Sequence, residues 1–582
     1  MITLNHQRLA YLEARGKVVL NACPGSGKTT TIAYKMHKLV EHEIKDSVGC
    51  GIACLSFTNV AKQEIQQKYF KFSGKTLGHP NLVSTIDSFI NSYITLPFYY
   101  LATGRKERPH ILEENNDLDN FNIAGLWDFM AKKYKHLNKA GQALVFIYKP
   151  STIVRDIDGK LTSNGNLPEA AKVDLAIFND YASTVKKWQL EQGILTHSDS
   201  TYLALQILTK YPHVAAALAK RFSTIIIDEA QDTSEIQHSI FDKLLRGSLV
   251  NLELIGDPYQ SLYMWRNAKP VVFINKFNDA EWMGLNLSNN WRSTQTIINA
   301  YSLLRNSTDE AIVAENTFTN ELAIHIIRFN EGNEVDAVEK YKELCKEFKS
   351  NQVVTRSIEL SEKISGMSDA DTNYWKNMLG AKIAKSVLDF KNNKIKAAID
   401  SLRWVAVNIL DPSLNYKQKK IALMELRNDY DLNSQLSKLL HEFSNLDISL
   451  EDWTKNIQKR LKEEFELTIH IDLQLKKGKF SPFHKKKMAE LFSGQMSKWS
   501  FPISTIHKVK GMTLDSILLF LHKNGHSISL VDIEPSNGQL TEYQTMIYVA
   551  MSRPKHLLAI AIENSVSKDD IIQRLGDRVI FI

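Results

Sequence analysis

Three apolar runs of strand length punctuate the chain. Val18–Leu20 precedes a glycine-bearing turn and a helix-like segment, Thr224–Ile227 precedes two adjacent acids, and Ile517–Leu521 lies towards the far end. Such short runs between polar neighbours predict buried strands of an α/β protein. The period changes between them. Leu432, Leu436, Leu439, Leu440 and Phe443 recur at the spacing of one helix face, so residues 359–498 read as mainly helical. Residues 96–190 read as a helical, aromatic-rich stretch containing Trp127, Phe129 and Tyr134, with a hairpin turn at Asp158-Gly159. Neither stretch shows a repeat of fixed period.

At 582 residues the chain is too long for one core, and 43% hydrophobic with 24% charged residues is ordinary globular composition. No stretch approaches eighteen uninterrupted apolar residues, which excludes a helical membrane span. The first residues lack the basic start and apolar stretch of a signal peptide, so a cytoplasmic protein is expected. Cys23, Cys50, Cys54 and Cys345 are too few for a disulfide framework, and the Cys50/Cys54 pair has no His or Cys cluster to complete a metal site. A net charge of +7 permits nucleic-acid binding without announcing it.

The turn after Val18–Leu20 carries the first chemistry. Ala22, Gly25, Ser26, Gly27, Lys28 and Thr29 fit the phosphate-loop spacing of Ala or Gly, four residues, then Gly-Lys-Thr. Glycines let backbone N–H groups close around phosphate oxygens, the following helix aims its positive end at them, Lys28 neutralises charge, and Thr29 ligates magnesium. A second half of such a site needs a buried strand ending in carboxylates. STIIIDEAQD supplies it, with Asp228 to hold Mg2+ and Glu229 to orient and deprotonate a water. Lys28 and Asp228 lie 200 residues apart, so something is inserted between them.

Ordered blocks along the whole chain then make the pattern specific. Leu4-Asn5-His6-Gln7 stands upstream of the loop. SFTNVAKQEI (Ser56–Ile65), STIDSF (Ser84–Phe89), GDPYQSLYMWRNA (Gly256–Ala268), NNWRSTQTI (Asn289–Ile297), VVTRS (Val353–Ser357), STIHKVKGMTLDSILLF (Ser504–Phe520) and EYQTMIYVAMSRPKHLLAI (Glu542–Ile560) follow. Together they resemble the superfamily 1 DNA helicases of the UvrD, Rep and PcrA type.

That resemblance implies residue roles. Gln7 and Trp291 take the places of the adenine-reading Gln and adenine-stacking Tyr, and Gly511 belongs to the nucleotide-binding set with the phosphate loop. Gln260, Arg292 and Arg553 take the γ-phosphate positions, Arg553 as the arginine finger. Phe57, Thr58, Asn59, Thr85, Ser88, Arg356, Thr505 and His507 fall at DNA-contacting positions, and Tyr263 and Trp265 would present rings to single-stranded bases. An aromatic face stacks on any base at about 1–3 kcal/mol, so such a grip does not read sequence.

Several positions depart from the family pattern. Ala22 replaces a usual Gly, Thr30 stands where many relatives place an Arg on the adenine, Asp87 replaces a usual His, and Thr513 stands in place of a ribose-binding Glu. The basic stretch Lys476–Lys487, with Phe480 and Phe483 interleaved, has the composition of a nucleic-acid contact, but Lys-rich stretches are more often solvated surface loops, and that is the preferred reading.

The implied fold is α/β with two RecA-like lobes on parallel sheets, each interrupted by a mainly helical insert. The expected first lobe is 1–95 with 191–285, its insert 96–190. The expected second lobe is 286–358 with 499–582, its insert 359–498. The implied activity is an ATP- and Mg2+-dependent translocase or helicase on single-stranded or tailed duplex DNA, running 3′ to 5′. Compact UvrD-like proteins also serve as partners of OLD-type nucleases in anti-phage systems such as Gabija, so a nucleic-acid-sensing regulatory ATPase is the alternative. A phosphate-loop enzyme acting on small molecules is a third. The 29 residues after Arg553 are too few for a nuclease domain, so any cutting is expected from another chain.

Overall fold

The computed structural model describes residues 3–42, 50–112, 147–168, 173–262, 268–316, 318, 321–365, 374–414, 416–465, 473–492, 499–522 and 527–582. They fall into two compact units, Met1–Arg328 with Val509–Ile517 and Leu521–Ile582, and Phe329–Lys508 with Leu518–Phe520. The fold is mixed α/β on parallel sheets, as two UvrD-like lobes require.

In the first unit, β1 (Lys17–Ala22), β2 (Gly51–Ser56), β3 (Leu82–Thr85), β4 (Phe222–Asp228), β5 (Asn251–Gly256) and β6 (Met283–Leu287) form one sheet in the order β6-β1-β5-β4-β2-β3. All five pairings are parallel. Side chains alternate between its faces. Val18, Leu20, Ile52, Cys54 and Ile226 join one core with Ile32 and Met36 of α2 (Lys28–His42). Val19, Ala53, Leu55, Ile225 and Ile227 join the other, with Phe89, Ile240 and Phe241. Both faces are covered, which is why these strands are apolar at almost every position.

Local signals set the flanking helices. Asn5 caps α1 (His6–Glu13), Thr58 caps α3 (Asn59–Ser73), and Ser234 with Gln237 closes a capping box on α4 (Glu235–Arg246). The turn predicted at Asp158-Gly159 joins antiparallel strands Ile153–Arg155 and Leu161–Ser163.

Six further strands follow: β7 (Ile324–Phe329), β8 (Asn351–Thr355), β9 (Ile503–Thr505), β10 (Leu514–Leu521), β11 (Pro554–Glu563) and β12 (Val579–Phe581). Strands β10, β11, β7 and β12 are neighbours in that order. Helix α5 (Glu542–Met551) runs into β11, and all ten of its residues except Glu542 and Tyr543 are buried.

The second unit pairs β8 with β9 in parallel and carries helices Met378–Lys391, Ile395–Leu410, Tyr430–Phe443 and Leu450–Glu464. The predicted helix-face set Leu432, Leu436, Leu439, Leu440 and Phe443 is buried as one stripe, against Leu402, Ile457 and Trp453. Trp127, Phe129 and Tyr134 lie outside the described residues.

Candidate functional site

In open parallel sheets, ligand-binding groups gather beyond the carboxyl ends of the strands. Here β1 delivers the phosphate loop, β4 delivers Asp228 and Glu229, and β5 delivers Asp257 and Gln260, all at that edge of the first sheet. Ala22 is the buried last residue of β1, paired with Leu287. Gly25 and Gly27 have φ of +73° and +80°. A Cβ on Gly25 would stand 2.6 Å from Asn290 Oδ1, so only glycine lets the loop meet that neighbour.

Lys28 opens α2, and its Nζ lies 3.5 Å from Glu229 Oε1. Burial opposes its charge, but Glu229, Asp257 and Asp228 outweigh burial and raise its pKa. The carboxylates divide their labour. Burial and the neighbouring Glu229 push Asp228 above the carboxylate range. Glu229, less buried than Asp228, is held below that range because Lys28 and Lys510 overcome the desolvation. Glu229 has φ of +56°, a conformation non-glycine residues rarely adopt. Its carboxylate is clamped by Gln231, whose Nε2 donates to Oε2 at 2.5 Å while its Oε1 accepts from Asp257 N at 3.2 Å. Gly256 makes the clamp possible, since a Cβ there would lie 2.3 Å from Gln231 Oε1.

Gln260 is fixed at both ends of its amide. Its Nε2 donates to Asp257 Oδ2 at 2.7 Å, and its Oε1 accepts from Arg553 Nη2 at 2.6 Å. Tyr548 of α5 donates to the same Asp257 oxygen at 3.3 Å. Lys510 donates to Asp232 Oδ2 at 2.5 Å and to Gln260 O at 2.9 Å, tying the turn after β4 to that after β5. Arg292 donates to Ser552 O at 3.0 Å, and Arg553 to Val549 O at 3.0 Å. Burial and the nearby Arg292 charge pull Arg553 down to about 9. Two guanidiniums forced together away from water favour an anion beside them.

On the base side, Gln7 is held by its own chain. Its Oε1 accepts from Ser288 N at 2.9 Å, and its Nε2 donates to Ser288 Oγ and Glu310 Oε1, each at 2.7 Å. Trp291 N donates to Gly25 O at 2.9 Å. Thr30 Oγ1 accepts from Lys68 Nζ at 2.8 Å. Gly511 is exposed with φ of +80°.

The expected DNA contacts occupy matching strand ends. Ser56 pairs with Thr85 at the ends of β2 and β3, so Phe57, Thr58 and Asn59 follow the end of one strand and Ser88, hydrogen-bonded to Thr85, follows the end of its neighbour. In the second unit Thr355 pairs with Thr505, so Arg356 and His507 follow the ends of neighbouring strands β8 and β9, and Thr505 ends the latter. Tyr263 and Trp265 lie outside the described residues. Phe480 and Phe483 pack on Tyr374, with ring centroids 6.3 and 5.6 Å away, and lysines 476 and 486 lie over them. Both rings are half-buried against Tyr374, which itself packs on the insert's core.

Arg8, Gln231, Asp232, Asp257 and Lys510 were not among the expected site residues. Asp232 closes the DEAQD run and Asp257 is the second residue of the GDPYQ run, so proximity to a motif was the available signal. Arg8, next to Gln7, had none beyond that.

The sheet order, loop and paired carboxylates are those of a phosphate-loop nucleotide hydrolase. The UvrD/REP helicase N-terminal domain model matches residues 4–281, and the UvrD-like helicase C-terminal domain model matches 321–565. The chain belongs to the UvrD-like helicase family, which supports ATP-dependent DNA helicase activity. It is 23% identical to the Gabija protein GajB of Bacillus cereus (strain VD045), covering 96% of this chain and 95% of that protein. It is 24% identical to the ATP-dependent DNA helicase Rep of Buchnera aphidicola subsp. Schizaphis graminum (strain Sg), over 76% of this chain and 66% of Rep. A third relative, the probable DNA helicase II homolog of Mycoplasma capricolum subsp. capricolum, is 25% identical over 52% of this chain and 41% of its own length.

Proposed function

We propose that this protein is an ATP- and Mg2+-dependent motor that moves 3′ to 5′ on single-stranded DNA. One observation carries the proposal: Lys28, Glu229, Gln260, Arg292 and Arg553 meet at one sheet edge, with Gln260 hydrogen-bonded to Arg553. Thr29 and Asp228 would hold Mg2+. The raised Asp228 carboxyl, with no cationic side chain within 4 Å among the described residues, suits a dication. When bound, that ion supplies Lewis-acid polarisation of phosphate oxygens.

The chain's own groups do the rest. Glu229, ionised and held by Gln231, orients a water against the terminal phosphorus and accepts its proton. Lys28, Arg292 and Arg553 stabilise charge that develops on the transferred oxygens. Loss of the terminal phosphate frees Arg553 and Gln260 together, so the turn after β5 and helix α5 register each hydrolysis event. The segment after Gln260 runs on to Tyr263 and Trp265, which would convert that event into a changed grip on bases.

A second reading, a regulatory ATPase that works with an OLD-type nuclease in anti-phage defence, is supported by the nearly end-to-end match to GajB. Assays on the purified chain separate the two. The motor requires ATP hydrolysis stimulated by single strands and unwinding of a 3′-tailed duplex. Stimulated hydrolysis without unwinding would favour the regulatory ATPase, and hydrolysis indifferent to oligonucleotide would exclude both.

A further inference from the structure

Arg8 lies on α1 beside the phosphate loop and is 5% exposed. Its guanidinium donates to two backbone carbonyls, Thr3 O at 2.6 Å and Ser26 O at 2.8 Å. Its Cζ lies 4.9 Å from the centroid of the Trp291 ring. A Cβ placed on Gly27 would come within 2.9 Å of Arg8 Nη2, so the charged fork rests directly on the loop.

Among the described residues no carboxylate comes within 4 Å of this cation. Glu315 acts on it only from farther away, and burial lowers its pKa. Carbonyl dipoles and a ring face solvate a guanidinium, but neither cancels a full charge shut away from water. The groups around it share the deficit. Ser26 Oγ and Trp291 Nε1 are buried without a hydrogen-bond partner. A cation and two polar atoms left unsatisfied at one loop call for a ligand that is anionic and rich in acceptors.

We propose that Arg8 is a nucleotide-binding residue that supplies, beside Lys28, a second cation to the phosphate chain of a bound nucleoside di- or triphosphate. The role rests on the nucleotide-site reading given above.

Calorimetric titration of the full chain with ATP, ADP and adenosine tests this. Arg8→Gln should weaken ATP and ADP binding roughly ten- to a hundredfold, the value of one charge-assisted hydrogen bond, while adenosine binding stays within about threefold. Arg8→Lys, which keeps the charge but not the fork, should recover most of the loss. Equal loss for adenosine would assign Arg8 to the base and overturn the proposal. Unchanged or tighter nucleotide binding would overturn it too, as a purely structural contact or a plug. Should Arg8→Gln not fold, Arg8→Lys decides: ADP affinity within about threefold of wild type supports the charge role, and a tenfold loss refutes it. A wild-type chain that binds no ATP would fail at the nucleotide site as a whole, a result distinct from failure at Arg8.

Discussion

At the scale of single residues, the site works by restricting how each group can point. Glu229 combines a left-handed backbone with a carboxylate clamped by Gln231, so the orientation its proposed role requires is fixed before substrate arrives. Arg553 is held on Gln260 in the same sense. Arginine fingers contribute on the order of 10³–10⁵ in turnover. Arg553→Ala is therefore expected to lower ATP turnover by at least about a thousandfold with ATP affinity changed only fewfold, measured by steady-state hydrolysis alongside equilibrium binding. His238 shows the opposite case. It is 1% exposed, neither ring nitrogen has a partner, and burial, helped by the Lys276 charge, pulls its pKa down to about 3. Because the folded value lies below the unfolded one of 6.5, the stability tied to the neutral ring is intact above pH 6.5 and is lost as pH falls from there towards 3. The loss by pH 5 amounts to about 2 kcal/mol. His238→Leu should narrow the difference in unfolding free energy between pH 8 and pH 5, read from urea denaturation, by about that much.

At the scale of elements, the strands position the chemistry. Asp228 and Ile226 share one face of β4, two residues apart, and Ile226 is fully buried in the core against α2. Ile226→Ala removes packing directly beneath Asp228, the proposed magnesium ligand, and should cost about 2–5 kcal/mol, read from chemical unfolding, with part of the hydrolytic rate lost as the strand settles. The elements were largely legible. Val18–Leu20 and Thr224–Ile227 are strands, the leucine stripe at 432–443 is one buried helix face, and the Asp158-Gly159 turn joins a hairpin. Each depends on side-chain period and on residues a few positions apart, which is information a chain carries locally. The assignment of Phe480 and Phe483 was not legible in this way. A Lys-Phe mixture reads the same whether or not its rings have a partner within the protein, and their packing on Tyr374, more than a hundred positions away, is visible only in the fold.

For the whole molecule, charge and the placement of strand ends govern how it would meet DNA. A net charge of +7 is modest, so binding of single strands should draw on few phosphate contacts and on stacking. The logarithm of affinity for a poly-dT oligonucleotide should fall with the logarithm of salt at a slope of roughly −2 to −4, measured by fluorescence anisotropy. A slope near zero would mean that the strand-end clusters around Asn59 and Arg356 do not touch phosphates. The sequence by itself determined the phosphate-loop and DEAQD segments, which depend on residue type at fixed short spacing, and its ordered blocks along the chain carried the resemblance to the family. Only the tertiary structure decided which groups complete the site: Arg8 on the loop, Gln231 on Glu229, Asp257 between Gln260 and Tyr548, and Lys510 on Asp232. Their partners stand up to 291 positions apart along the chain, and what a charge or an amide does depends on the partner that folding brings within about 3 Å.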